Sequence, residues 1–380
     1  MPRYKLGRSR REAPRVKGEL DPGYTLEVDS VDKNAWNNLL LRFDDSSFYQ
    51  TWSYGAIHWG RKQLSHSVLR KDGLVVSLAQ ARVVGFRFPP IGVAYVNWGP
   101  IWKTRDKNVN TLHLRNMLRG LYTEYTVRRG YLLRVLPKIL EGEDDVTVRN
   151  IFEEENYSWK PDPLETVIID LSPSLEQVRQ NLHRSWKRSL KDAEEHKFTL
   201  LEGSDDHVCA MLLKVANEMK DRKGYFGSDQ EELIAVHRDL PEPLKLMIAV
   251  CLLEGEPVAA LGWTKIGSVG IPLVAGTGDK ALKLKASFLL WWKMIEYYKE
   301  NGFPKVDTAA VNLNRNPGGY FFKTGLAGKH FSGPNRFIGQ FDACESYSSG
   351  ICVRAIYGVR ERYRNMKREK SEGQKKTEGE

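Results

Sequence analysis

The sequence predicts an α/β (α+β) protein of two similar domains in tandem, each a mixed sheet flanked by helices. Two observations carry this. Short alternating apolar runs and longer runs of helical period follow in the same order in both halves. Pieces of the halves also align directly. Asp72-Gly-Leu-Val-Val-Ser-Leu-Ala79 parallels Glu254-Gly-Glu-Pro-Val-Ala-Ala-Leu261, and Arg128-Arg-Gly-Tyr-Leu-Leu-Arg134 parallels Lys299-Glu-Asn-Gly-Phe-Pro-Lys305.

In the first half, Tyr24–Val28 reads as a strand, and Val31–Phe43 and Thr51–Lys62 as helices. Ser67–Lys71 and Leu74–Phe86 are strands joined by an Asp-Gly hairpin signal. Val93–Trp98 is a strand, Val109–Arg129 a helix stopped by Gly130, Tyr131–Leu136 a strand and Thr147–Asn156 a short acidic helix. In the second half, Thr166–Leu171 is a strand, Ser174–His196 a helix and Phe198–Leu201 a strand. Asp205–Lys220 and Asp229–Arg238 read as helices. Leu246–Leu253, Pro257–Lys265 and Val269–Ala275 are strands, Leu282–Asn301 is a helix and Val306–Ala310 the strand after it. Pro161 and Pro163 break the pattern between the halves. The expected organisation is a basic disordered arm over 1–22, domain 1 over 23–160, domain 2 over 161–345, a helix over 346–366 returning to domain 1, and a disordered tail over 367–380.

The chain has 380 residues and a net charge of +10. No apolar run has the length of a membrane span, and the basic N-terminus lacks the apolar core of a secretory signal. Cys209, Cys251, Cys344 and Cys352 are widely spaced, which suggests neither a zinc site nor a disulfide framework. The expected location is cytoplasmic, with peripheral contact at the inner face of the membrane. No phosphate-binding Gly-x-x-x-x-Gly-Lys-Ser/Thr loop, Gly-x-Ser-x-Gly elbow or His-Glu-x-x-His is present.

The chemistry concentrates in Val306–Asp342. A strand leads to Asn312-Leu-Asn-Arg-Asn-Pro-Gly-Gly, then to an aromatic turn, Tyr320-Phe321-Phe322, with Lys323 at its end. A lysine beside aromatics and glycines suits an oxyanion or a phosphate; a core turn with a solvated lysine is the plain alternative. Asp307 and Asp342 are candidate general bases or structural acids. On the helix from Ser174, a plausible N-cap, Leu175, Val178, Leu182, Trp186, Leu190 and Ala193 form one face. Arg184, Lys187, Arg188 and Lys191 share the opposite arc, as a phosphate-binding or a solvated face. Arg222 and Tyr225 stand in a Gly-flexed loop, and Gln50 and Trp52 at the entry of a helix.

Tyr320-Phe-Phe-Lys-Thr-Gly325 after a strand and an Asn-containing turn resembles the terminal motif of the Fem-type (FemA/FemB/FemX) non-ribosomal peptidyltransferases, of the wider GNAT-type N-acyltransferase fold. Phe48–Trp52, Thr166–Ala193, Arg222–Tyr225 and Leu289–Asp307 agree with it in order, so the resemblance spans roughly residues 45–342. It implies twin GNAT-like domains, a catalytic Lys323, and Tyr320, Phe322, Arg222, Tyr225, Arg184, Lys187, Arg188, Lys191, Gln50 and Trp52 as substrate-binding residues. It further implies transfer of an aminoacyl or acyl group to an amine of a cell-envelope precursor, a peptidoglycan peptide or an amino sugar. The donor would be aminoacyl-tRNA or an acyl thioester such as acyl-CoA, with no bound cofactor or metal. Gly276-Thr-Gly278 is a reduced form of the GNAT pyrophosphate loop, which weakens an acyl-CoA donor. Two alternatives stand beside this: an acyl-CoA-dependent N-acetyltransferase of polysaccharide biosynthesis, and a non-catalytic RNA- or membrane-surface-binding protein on the same fold.

Overall fold

The computed structural model describes residues 18–105, 109–142, 145–161, 164–223, 229–346 and 351. Most of the expected basic arm, Tyr225, Pro163, nearly all of the expected C-terminal helix and the tail lie outside them.

The first half runs β1 (Tyr24–Val28), α1 (Lys33–Leu40), α2 (Trp52–Gly55), β2 (Leu64–Lys71), β3 (Leu74–Phe86), β4 (Ile91–Asn97), α3 (Thr111–Leu121), β5 (Leu132–Leu136), α4 (Asp145–Glu154) and β6 (Ser158–Lys160). The second half runs β7 (Glu165–Thr166), β8 (Ile168–Asp170), α5 (Leu175–Asn181), α6 (Arg184–Glu194), β9 (Thr199–Gly203), α7 (Asp206–Lys223), α8 (Gln230–Asp239), β10 (Met247–Leu253) and β11 (Glu256–Trp263). It continues through β12 (Val269–Gly270), β13 (Pro272–Thr277), α9 (Asp279–Leu284), α10 (Ala286–Glu300), β14 (Lys305–Asp307), α11 (Pro317–Ala327), β15 (Asn335–Arg336) and β16 (Gln340–Ala343).

The first sheet has the order β1-β2-β3-β4-β5-β16-β6. Its strands are antiparallel except β4 and β5, which run parallel and stay paired from Val93–Leu132 to Asn97–Leu136. On one face Leu69, Ala79, Ala94 and Val96 pack under Leu114, Met117 and Leu118 of α3 and Phe152 of α4. The other face is not closed within its own half. Trp36, Phe48, Val68 and Leu78 share one core with Leu212, Ile234, Leu246 and Val250 of the second half. Apolar burial joins the halves.

The second half repeats the strand order but not the closure. Here β13, β11, β10 and β9 form one sheet, and β12, β14 and β8 another. The single strand expected over Val269–Ala275 is split. β12 runs parallel to β14, whereas β13 departs with β11. Pro272 has no N–H for a parallel ladder. The Tyr298 hydroxyl sits at the split, donating to the Thr264 carbonyl at 2.8 Å and accepting from Ile271 N–H at 2.8 Å. Gly270 is required there, since a Cβ would come within 2.4 Å of the Tyr298 ring.

Three other expected elements are also divided. The helix over Ser174–His196 is two helices. The expected Ser174 cap is present, with Gln177 closing the capping box. Leu182 then leaves helical geometry with ψ 145°, and His183 N–H donates to Gly325 O instead of continuing the ladder. The Thr166–Leu171 strand is β7 and β8, and the Leu282–Asn301 helix breaks at Lys285, whose φ is 59°. The Val306–Ala310 strand ends at Asp307, because Ala309 takes φ 62°. The segment around Tyr320 is a helix rather than a turn: the Asn316 side chain caps Gly319 N–H, and Pro317 occupies the first turn. Among the described residues no helix is long and apolar enough to cross a membrane.

Candidate active site

The end of β14 organises the site. The Asp307 carboxylate accepts the Thr166 hydroxyl and, at 3.0 Å, Ala309 N–H. This holds Ala309 in the left-handed region, a costly conformation for a residue with a Cβ. The turn presents the carbonyls of Ala309 and Ala310 to Lys323 of α11, whose Nζ donates to them at 3.2 and 3.0 Å. An ammonium has three N–H groups, so one is left to point elsewhere. Desolvation by burial pushes Lys323 down to about 8, and the Asp307 charge opposes that shift.

A cavity of about 100 Å³ opens against this turn. Tyr49, Trp98, Lys138 and Phe337 line it from one side, and Ile271, Asp307, Ala309 and Ala310 from the other. The Trp98 and Phe337 rings meet edge-on at 4.7 Å. Burial, aided by Asp307, pushes the Tyr49 phenol up to about 12, so it stays a neutral donor. The cavity thus holds the Asp307 carboxylate among mainly apolar walls, with the Lys323 ammonium bound to two carbonyls of its wall.

Several expected site residues serve other ends. Gln50 is fully buried and spends its amide on Gln80 N–H, Gln80 O and Asn97 O. Trp52 stacks on His66 at 4.0 Å. Gln50 is structural, because its buried amide has no group left for substrate; Trp52 is half-buried with one ring face on His66, and their neighbour Tyr49 reaches the cavity. Phe322 packs on Phe288, Trp291 and Trp186, with centroids at 4.8, 5.2 and 5.6 Å, so it belongs to the core. Tyr320 is half-buried, edge-on to Phe321. Arg222 is bound to Asp279 at 2.5 Å and to Thr277 O at 2.7 Å. Arg184, Arg188 and Lys191 are exposed on α6, while Lys187 donates to Gln180 O. Asp342 forms a two-bond ion pair with Arg134 inside the first sheet and is no base. Thr166, Trp98, Lys138 and Phe337 were not legible as site residues, since they come together only where the halves meet.

Residues 176–323 match the family model described as an acetyltransferase (GNAT) domain. The fold is shared with the crystal structure of FemX at 11% identity and TM-score 0.70, over 88% of this chain and 99% of that one. A conserved protein of unknown function from Bacteroides thetaiotaomicron aligns at 13% identity and TM-score 0.53, over 84% of this chain and 99% of that one. The C-terminal domain of a protein provisionally described as a lysylphosphatidylglycerol synthetase, from Agrobacterium fabrum, aligns at 8% identity and TM-score 0.54, over 85% and 95%. No curated protein matches. The family model defines a GNAT-type acyltransferase domain over residues 176–323. The chain as a whole has the fold of FemX.

Proposed function

We propose that this acyltransferase moves an aminoacyl or acyl group from an activated donor to an amine of a cell-envelope precursor. The observation that supports it is the cavity lined by Asp307, with Lys323 donating to the carbonyls of Ala309 and Ala310 in its wall. The amine nitrogen attacks the donor carbonyl carbon. The tetrahedral oxyanion is stabilised by the remaining N–H of Lys323. The bond to the leaving oxygen or sulfur breaks as the carbonyl re-forms, and the amine proton passes to Asp307. The basic face Arg184, Arg188 and Lys191 and the net charge of +10 favour a phosphate-rich donor such as aminoacyl-tRNA.

A CoA donor is disfavoured by one detail. The start of α9, where the reduced Gly276-Thr-Gly278 loop ends, is already filled: the Glu218 carboxylate accepts Asp279 N–H at 2.9 Å. A second anion there would meet two carboxylates.

The test offers purified protein labelled aminoacyl-tRNA or acyl-CoA together with an amine-bearing muropeptide or an amino sugar. Label transferred from aminoacyl-tRNA to the muropeptide amine is the expected result. Transfer from acyl-CoA alone would overturn the donor assignment, and transfer from neither the acceptor assignment.

A further inference from the structure

The β3–β4 hairpin carries an apolar tip that the proposed chemistry does not use. β2 begins at Leu64, opposite Arg82, and β5 begins at Leu132, opposite Val93. Beyond those positions Gly85–Phe86 and Ile91–Gly92 pair only with each other. The hairpin therefore extends past both neighbouring strands. Its neck is tight, because Gly85 and Gly92 face each other under the Tyr131 ring, and a Cβ on either would come within 2.8 Å of the other's Cα. At the tip, Phe88 is 83% exposed and Phe86 74%. Val84, and Val127 from the helical segment Tyr122–Arg128 that continues α3, are exposed as well.

Such exposure of large apolar side chains is costly in water and marks a contact surface. Along the hairpin itself the charge has one sign, and beside it Glu124 pairs with the Arg128 guanidinium at 3.3 Å. No Asp or Glu occurs between Asp72 and Asp106. Arg87 lies over the Phe88 ring at 5.6 Å. Arg61 and Lys62 are exposed just before β2, and Arg128 is exposed beside Val127.

We propose that this hairpin tip docks the protein on an anionic lipid surface, with Phe86 and Phe88 entering the headgroup boundary and the surrounding cations meeting lipid phosphates. Aromatic side chains within a basic rim match the two components of interfacial binding, apolar insertion and attraction to anionic headgroups. Contact with a second copy through a two-fold axis would set Arg87 near its own equivalent. A nucleic acid would leave Val84 and Val127 unused.

The experiment is co-sedimentation of the full chain with vesicles of phosphatidylcholine alone or mixed with phosphatidylglycerol. Wild type should bind the mixed vesicles well and the neutral ones poorly. F86S/F88S should lower binding by at least about tenfold, from the apolar area it removes. Arg87→Glu should weaken binding to the mixed vesicles alone. The substitutions are exposed, so the melting temperature should not move. Equal binding of mixed vesicles by wild type and F86S/F88S overturns the proposal, as does wild type that ignores charge or binds no vesicles. Release of bulk tRNA, or dissociation of a dimer, by F86S/F88S in a protein that does not bind vesicles assigns the tip to that partner instead.

Discussion

The Asp342 carboxylate accepts two hydrogen bonds from the Arg134 guanidinium, Nε at 2.7 Å and Nη2 at 2.8 Å. Arg134 lies on β5 of the first half, and Asp342 on β16, beyond the whole second half. Next to Asp342, Phe341 stacks on Phe152 at 4.0 Å. The pair thus fastens the end of the second half into the sheet of the first. Asp342→Ala leaves a largely buried guanidinium without its carboxylate and should cost about 3 kcal/mol. Urea unfolding measures it; a loss under about 1 kcal/mol would show that the strand is held by packing alone.

Lys323→Met removes the charge and keeps most of the stem. If the ammonium stabilises the oxyanion, kcat should fall about a hundred- to a thousandfold with little change in acceptor KM. Steady-state kinetics with the true substrate pair decide. Full turnover would leave the lysine as a clip on the Ala309 and Ala310 carbonyls.

The same lysine sets a pH dependence. Its folded value of about 8 lies below the ordinary 10.5, so the ammonium is lost as pH rises through about 8. The rate should therefore decline above that pH, and Lys323→Arg should move the decline upward. Stability moves the other way. Between about 8 and 10.5 the unfolded chain holds the proton and the folded chain does not. Stability from this group rises across that window and is lost as pH falls through about 8. Unfolding of wild type against Lys323→Met at several pH values should show the slope in wild type only.

Phe321 and Phe322 should behave oppositely. Phe322→Ala empties a site among Trp186, Phe288 and Trp291 and should cost about 3 kcal/mol. Phe321 is 64% exposed, and Phe321→Ala should stay within about 0.5 kcal/mol. Thermal unfolding of the two variants is the comparison; equal losses would contradict the packing described.

Arg184→Glu with Arg188→Glu reverses two exposed cations of α6. If this face meets phosphate, donor binding should weaken and its salt dependence flatten. Unchanged affinity across a salt series would make it a solvated face.

The sequence by itself determined the strand and helix order of both halves, through hydrophobic period and glycine and proline punctuation. It also determined the capping box at Ser174 and the apolar face of the helices after it. It offered Lys323 through a family resemblance, and Asp307 and Asp342 alike as acids of the same stretch. The tertiary structure alone decided the rest. Whether parallel strands stay together, as β4 and β5 do, or part, as β13 and β14 do, depends on Tyr298 reaching across from α10. Gln50 and Tyr49 are neighbours in the chain; Gln80 and Asn97 of the first sheet make one a core amide, and the approach of the second half makes the other a cavity wall. Local pattern records which face of an element is apolar; it does not record which distant element comes to cover it.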